Sequence, residues 1–177
     1  YRLTSDDLSS IPTLIFAQRR RTDQLFSAFV QDEIRLFADH LRLSLGTKFE
    51  HNDYSGFEFQ PSARLLWAFA PRHTLWAAVT RAVRTPSRVE DDLSLTTLLE
   101  PRTPTFARFL GNAAFTSEKF LVYELGYRLQ PASSLFLDVA AFYNRYMDLL
   151  SLEPGAPFSE PTPPPARVVV PVVFHNN

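Results

Sequence analysis

The chain has 177 residues, with 18 lysines and arginines, 19 aspartates and glutamates and a formal charge of -1. This balance provides no general electrostatic attraction to nucleic acid, so we expect no nucleic-acid partner. Cysteine is absent, which excludes disulfides, thiolate metal sites and a cysteine nucleophile. No uninterrupted apolar run reaches about 18 residues, which argues against a transmembrane helix.

Apolar and polar residues alternate along most of the chain, as in Leu41, Leu43 and Leu45 against Arg42 and Ser44. A period of two indicates extended strands, because successive side chains leave opposite faces of a pleated backbone. The predicted strands are, in chain order, 1–7, 23–37, 41–50, 57–69, 74–84, 116–129, 134–150 and 168–174, the last beginning the next barrel strand.

The connections between these strands alternate in length. Short turns are predicted at 38–40, 70–73 and 130–133, and longer or more polar connections at 8–22, 51–57, 87–115 and 153–165. The connection 87–115 is expected to be irregular, with one or two helical turns within 91–99. Strands apolar on one side, with short turns at one end and long loops at the other, are typical of outer-membrane barrels.

The predicted fold is therefore all-β: an antiparallel up-and-down transmembrane β-barrel portion of about seven or eight consecutive strands. Aromatic residues near the short turns are expected to form an interfacial girdle: Trp67, Phe69, Trp76 and Tyr127. Charged residues on the opposite strand face are expected to line the lumen: Arg42, Lys48, Glu50, Arg64, Glu124, Arg128 and Asp138.

Several segments resemble the barrel of TonB-dependent outer-membrane receptors. Residues 29–33 and 43–52 are similar to one strand pair of that family, and the further similar segments, in the family's order, are 59–67, 76–87, 110–128 and 142–150. The resemblance covers about residues 24–153. Each segment alone is weak evidence, but their order and spacing together are specific.

The resemblance implies a Gram-negative outer-membrane location within a barrel of about 22 strands that holds a plug. Residues 1–177 are then interpreted as an internal part of the barrel domain, without the plug. The implied function is active uptake of a scarce ligand, most commonly a ferric siderophore, with energy from the TonB complex acting through the missing plug region. No cofactor of the protein itself is implied, and the lipid bilayer is an expected partner.

No nucleophile elbow, zincin motif, Walker loop or dinucleotide motif is present, so we expect no enzyme. The four histidines are scattered, and no metal site is predicted. Charged residues at and within the longest connection are the candidates for contact with an anionic chelate, because guanidinium groups bind carboxylates and catecholates in a bidentate manner. They are Arg81, Arg84, Arg88, Asp91, Asp92 and Arg102. The alternative for these residues is a salt-bridge network that holds the loop to the barrel rim.

Two other functions remain open from the residues alone. A passive outer-membrane pore, such as a porin or an autotransporter barrel, would share the alternation but would have no plug. A soluble all-β binding module would have to bury Leu43, Leu65, Leu121 and Leu137 between two sheets. The segregation of short and long connections argues against that module.

Overall fold

The computed structural model describes residues 1–37, 40–161 and 164–177, which contain thirteen strands and one short helix. In chain order these are β1 (Arg2–Asp7), β2 (Leu14–Phe16), β3 (Arg20–Leu36), β4 (Leu41–Asn52), β5 (Gly56–Ala70), β6 (His73–Arg84), α1 (Arg88–Asp92), β7 (Leu93–Glu100), β8 (Thr105–Leu110), β9 (Glu118–Ala132), β10 (Leu135–Met147), β11 (Leu150–Pro154), β12 (Phe158–Glu160) and β13 (Arg167–Asn176). No helix in this described part has the length and hydropathy needed to span a bilayer.

Seven long strands form one sheet, in the order β1-β3-β4-β5-β6-β9-β10, and every neighbouring pair is antiparallel. This barrel sheet is open in the described part of the chain. It confirms the predicted all-β, up-and-down barrel portion of seven or eight strands. Of the predicted short turns, 71–72 and 133–134 are observed, whereas Ala38 and Asp39 lie outside the described residues.

The register assigns every side chain of the barrel sheet to one of two faces, because residues directly opposite each other share a face. Leu45 lies opposite Ala63, Ala63 opposite Val79, and Val79 opposite Tyr123. This face, the outer face, carries the leucines of β4. The inner face carries the charged residues predicted for the lumen: Arg42, Lys48, Glu50, Arg64, Glu124, Arg128 and Asp138.

Aromatic rings mark both ends of the outer face. Near the short turns the ring centroids of Trp67 and Phe69 are 5.3 Å apart, and Phe69 stacks on Tyr127 at 6.5 Å. At the other end Phe49 lies 5.4 Å from Phe59. The ten-residue separation of Phe59 and Phe69, at about 3.3 Å per residue and a tilt of about 40°, corresponds to a height of about 25 Å. This height equals the apolar band of an outer-membrane barrel.

The prediction of Trp76 in this girdle is wrong. Trp76 lies opposite Leu66 and Gly126, which places it on the inner face. Its indole covers Gly126 so closely that a Cβ added there would lie 2.2 Å from the ring. Counting residues to the turn located the end of the strand correctly but not the face on which the ring lies.

The remaining strands form a second sheet, the loop sheet, in the order β11-β13-β8-β7-β2, with β12 on β13. Three predictions are corrected by it. The connection 87–115, expected to be irregular, contains the β7–β8 hairpin, and its helix is at 88–92 rather than within 91–99. The connection 8–22 contains β2, which pairs with β7, and β3 already begins at Arg20.

The third correction concerns 168–174, predicted as the next barrel strand. It belongs to β13, which pairs in parallel with β8 and antiparallel with β11 and β12. The valines of β13 are covered mainly on one face, since Val168 is 44% exposed. Val169 has no exposed surface and Ala107 of β8 has 3%. The core of the loop sheet lies at this parallel pair.

Candidate functional site

The first charged cluster forms where β6 and β9 reach the long-loop end of the barrel sheet. Arg84 lies opposite Glu118 on the inner face, and its Nε donates a hydrogen bond to that carboxylate. The same guanidinium donates to both oxygens of Glu90, at 2.7 and 3.2 Å. The other oxygen of Glu118 accepts a hydrogen bond from the Leu150 amide at 2.6 Å. Arg84 therefore connects β6, α1 and β9, and Glu118 extends the network to β11.

Glu90 also fixes the start of α1. Ser87, the N-cap residue, donates to Glu90 from its amide at 2.7 Å and from its hydroxyl at 2.9 Å. Burial raises the pKa of Glu90, but the hydrogen bonds from Arg84 and Ser87 outweigh burial and hold that pKa below its ordinary value. Glu90 is therefore ionised at neutral pH although only 6% of it is exposed.

A second cluster surrounds Arg88, which is 8% exposed. Its guanidinium pairs with Asp6 at 2.7 Å and with Asp92 at 3.5 Å, and it donates to the Gln18 carbonyl. It also lies 5.0 Å from the centre of the Phe16 ring. These contacts fasten α1 to β1 and to the segment around β2.

A third cluster includes Arg21, which the sequence analysis did not single out. Arg21 donates to Asp91 and, at 2.7 Å, to Asp23, and it stacks 4.4 Å from the Tyr54 ring centre. Tyr54 in turn donates to Asp23 at 2.5 Å. In the sequence, Arg21 stands in a run of three arginines, 19–21, and such a short charge run is usually a solvated loop. Because β3 begins at Arg20, strand alternation places the side chains of Arg20 and Arg21 on opposite faces. The sequence analysis began this strand at residue 23 and therefore missed Arg21.

The two other candidates lie apart from these clusters. Arg81 lies opposite Leu121, a register position on the outer face. Its guanidinium donates to the Phe59 carbonyl and approaches Glu58, an inner-face residue, at 3.8 Å. Arg102 lies in the turn between β7 and β8, and its amide donates to Glu100 at 2.9 Å. The structure thus brings together four of the six candidates, namely Arg84, Arg88, Asp91 and Asp92. Their contacts have the form of the rim network given as the alternative.

The loop sheet has a charged cluster of its own, which the sequence analysis also missed. Glu160 of β12 accepts hydrogen bonds from Arg108 of β8 at 2.9 Å and from Arg167 of β13 at 2.7 Å. These two bonds, Arg108 first, hold the pKa of Glu160 below its ordinary value. Arg167 lies 5.0 Å from the centre of the Phe106 ring. The cluster ties β12, which lies in the connection 153–165, to the β7–β8 hairpin and to β13.

Each of the three clusters at the rim pairs one arginine with two carboxylates. Arg84 keeps 41% of its side chain exposed, although all three of its guanidinium nitrogens donate to Glu90 or Glu118. Within residues 1–37, 40–161 and 164–177, no group of three or more metal-binding side chains occurs. What the arrangement does is hold the connections at the rim in one assembly through paired charges.

Comparison with known proteins gives a family and a set of similar folds. A model of the family described as TonB dependent receptor-like, beta-barrel matches residues 1–176. No curated protein sequence matches the chain.

Three solved structures illustrate the similar folds. The siderophore receptor PirA of Acinetobacter baumannii has a TM-score of 0.75 at 18% identity, covering 92% of this chain and 25% of that one. A mutant of the ferric enterobactin receptor PfeA of Pseudomonas aeruginosa has a TM-score of 0.74 at 23% identity, covering 97% of this chain and 25% of that one. The siderophore receptor PirA of Pseudomonas aeruginosa has a TM-score of 0.71 at 15% identity, covering 91% of this chain and 30% of that one. The chain spans about a quarter of the first two structures, and at these identities the likeness concerns the fold.

Proposed function

Because the chain belongs to the TonB-dependent receptor family, we propose that it supplies seven barrel strands and three loops of an outer-membrane receptor for a ferric siderophore. The members of this family are transporters of the outer membrane rather than enzymes. In the proposed receptor the barrel is the scaffold and the loops select the ligand. Energy reaches a plug through TonB, both lying outside the 177 residues considered.

The observation that carries the proposal is the match of the family model to nearly the whole chain, together with similar folds in receptors named for siderophores. The one-sided barrel sheet supports it physically. Its outer face exposes large apolar groups, for example Leu125 at 52% and Val139 at 55%, which water would not tolerate over so wide a surface. A bilayer accepts such a face, which supports integral placement in the outer membrane.

Each rim cluster pairs one arginine with two carboxylates, so contact with an anionic ligand depends on an arginine that keeps exposed surface. We place Arg84 in contact with the ligand, because it is the partly exposed arginine of the rim clusters and its guanidinium suits catecholate or carboxylate oxygens. Arg102 at the exposed hairpin tip is positioned for first capture. Arg88, Asp91 and Asp92 hold the loop that carries α1, while Arg81 has no ligand role in this proposal.

The test is uptake of radioactive iron by iron-starved cells that carry or lack the gene for this receptor. Ferric complexes of a catecholate and of a hydroxamate siderophore are offered separately, with a strain lacking TonB as control. We expect uptake of one complex to require both the gene and TonB. Uptake that persists without TonB would point to a passive pore and contradict the proposal, as would uptake unchanged by deletion of the gene.

A further inference from the structure

The inner face of the barrel sheet has a recess between β4 and β6, which we call the inner recess. Small side chains on neighbouring strands form its floor: Ser44, Gly46, Ser62, Ala78 and Thr80. Its volume is about 330 Å³, within the range of sites that hold small molecules. A second part, of about 220 Å³, continues it toward the rim, since Gly46, Ser62 and Thr80 line both parts.

The recess results from the sizes of the side chains on this wall. Gln31 of β3 lies opposite Gly46 on one side, and Val122 of β9 lies opposite Thr80 on the other. A Cβ added to Gly46 would lie 3.2 Å from the Ser62 hydroxyl, so even alanine would crowd the floor there. Larger side chains therefore border a floor that small residues keep low.

Two arginines lie at the end of the inner recess that is farther from the rim. Arg64 lies opposite Ser44 and Ala78, and Arg42 is two residues from Ser44 along β4. Their Cα atoms are about 8 Å apart, at about 4.8 Å between strands and about 3.3 Å per residue. Both are exposed, and neither forms an ion pair or hydrogen bond with any residue in the described part of the chain.

Two carboxylates lie in the same row of the inner face as Arg64, one on each side of it. Glu33 is 3.5 Å from Arg35. Glu124 is two strands from Arg64, with about 10 Å between the Cα atoms. Within the described ranges both carboxylates flank the arginines without contacting them, so this end of the recess is positive.

Arg64 lies at the middle of the barrel wall. It is midway along β5 between Phe59 and Phe69, whose rings mark the two ends of the apolar band. Ala78, opposite Arg64, is about 20 Å along β6 from Arg84 at about 3.3 Å per residue, so one small chelate cannot contact both arginines. Ionisable side chains that face a lumen at membrane depth commonly mark the path of a transported ion or substrate.

We propose that the inner recess is a second anion site on the path of the ferric chelate, occupied after the chelate leaves the rim. Arg64 and Arg42 contact its anionic oxygens, because guanidinium groups bind catecholates and carboxylates through paired N–H donors. The hydroxyls of Ser44, Ser62 and Thr80 donate further hydrogen bonds. The inference rests on the proposed function and adds a stage to it: the rim captures the ligand, and the inner recess selects for negative charge during passage.

The experiment measures capture and passage separately in iron-starved cells that carry the full-length receptor. The probe is radioactive ferric enterobactin, an anionic catecholate complex. Its binding is measured in cells lacking TonB, where passage does not occur, and its uptake rate in cells with TonB. We expect Arg64→Gln to leave the Kd unchanged and to lower the uptake rate about tenfold, as for one lost charge-assisted contact. Arg64→Lys keeps the charge and should restore part of the rate.

Arg145→Gln is the matched control for the charge. Arg145 is an exposed arginine at an outer-face register position, opposite Leu121, and it has no ion pair or hydrogen bond in the described residues. We expect its substitution to change neither the Kd nor the uptake rate. An equal loss of uptake in Arg145→Gln and Arg64→Gln would overturn the site.

A second pair of variants tests the space rather than the charge. Ala78→Leu fills part of the inner recess, whereas Ala77→Leu adds the same group to the outer face at the next position of β6. We expect Ala78→Leu alone to lower uptake, with binding in cells lacking TonB unchanged for both. Migration of the folded barrel on gels checks that both variants fold. Equal uptake by the two variants would overturn the recess as a passage site.

The remaining outcomes distinguish this role from others that Arg64 could have. Uptake unchanged by Arg64→Gln would overturn the inference. A weaker Kd in cells lacking TonB would assign Arg64 to capture and overturn its role in passage. Entry of vancomycin, a large antibiotic, into Arg64→Gln cells but not wild-type cells would show that this arginine holds the plug closed, which also overturns the inference.

Failure of this inference is separable from failure of the proposed function. A wild-type receptor that takes up ferric enterobactin through TonB, with Arg64→Gln indistinguishable from it, would overturn the inner recess alone. TonB-dependent uptake of only the hydroxamate complex would leave the proposed function standing and overturn the recess as a site for the catecholate anion. No TonB-dependent uptake of either complex would overturn both.

Discussion

Leu65 and Leu66 of β5 are adjacent leucines on opposite faces of the barrel sheet, which makes them a matched pair for a test of the fold. Leu65 lies opposite Leu43 and Ala77 on the outer face, and Leu66 lies opposite Arg42 and Trp76 on the inner face. Leu65 is between the aromatic ends marked by Phe59 and Phe69, near the middle of the apolar band. The same change, leucine to arginine, can therefore be made on each face at the same depth.

Leu65→Arg places a guanidinium in hydrocarbon, and we expect it to lower the free energy of unfolding by about 2–4 kcal/mol, as for arginine near the bilayer midplane. Leu66→Arg places the same group in the polar lumen. Its cost is the lost packing and the like charge of Arg42 across the strand pair, about 1 kcal/mol. Strand propensity and side-chain chemistry cancel between the two variants, so the expected difference of about 1–3 kcal/mol reports the environment of the face alone.

The measurement is reversible urea unfolding of the full-length receptor in phospholipid vesicles, followed by the fluorescence of Trp67 and Trp76. Trp67 follows Leu66 in β5 and Trp76 lies opposite Leu66 in β6, so both report the unfolding of this part of the barrel. Equal costs for the two variants, or a larger cost for Leu66→Arg, would refute the assignment of the outer face to lipid. A free energy of unfolding that is the same for the wild type and both variants would also refute this assignment.

Three other predictions concern single contacts. Gly126→Ala brings a Cβ against the Trp76 indole, and we expect the free energy of unfolding in urea to fall by about 1–3 kcal/mol. This loss should be smaller when Gly126→Ala is made in a chain that already carries Trp76→Ala, and an equal loss there would contradict the contact. Since the folded pKa of Glu90 is depressed, its contribution to stability is present above its ordinary value of 4.5 and is lost as the pH falls through the folded pKa. Amide exchange in α1 should therefore accelerate below about pH 4.5, and Glu90→Gln should remove this dependence; a dependence that survives the substitution would assign it elsewhere. Glu160→Gln should accelerate amide exchange in β12 and leave the barrel unfolding midpoint unchanged, and a shifted midpoint would show that the loop sheet supports the barrel.

The strand pattern of the barrel sheet was predictable because it depends on local alternation. Leucines and tyrosines at every second position of β4 and β9 must face one side of any pleated strand, so the inner charged residues followed without knowledge of the register. The strand ends were also close to the turns expected from proline and polar residues. Only Trp76 was assigned to the wrong face, because its place was judged from its distance to the turn.

The loop sheet was not predictable in the same way. β2 and β12 have three residues each and are strands only because β7 and β13 supply their partners. The parallel pairing of β8 with β13 joins residues about sixty positions apart, and no local signal in either segment selects the other. The prediction that 87–115 is irregular failed for this reason.

The sequence by itself determined the all-β class and the two-faced barrel strands, because these depend on residue order within about ten positions. It also determined the family resemblance, because that depends on the order and spacing of segments along the chain. Only the tertiary structure decided which charges meet. Arg84 finds Glu118 through strand register, and Arg21 finds Asp91 across seventy residues, once the loops have folded onto the rim. The same register separates Arg81 from the rim clusters, because it places the residue opposite Leu121. Ion pairs form between chain segments brought together by folding, so spacing along the chain does not specify them.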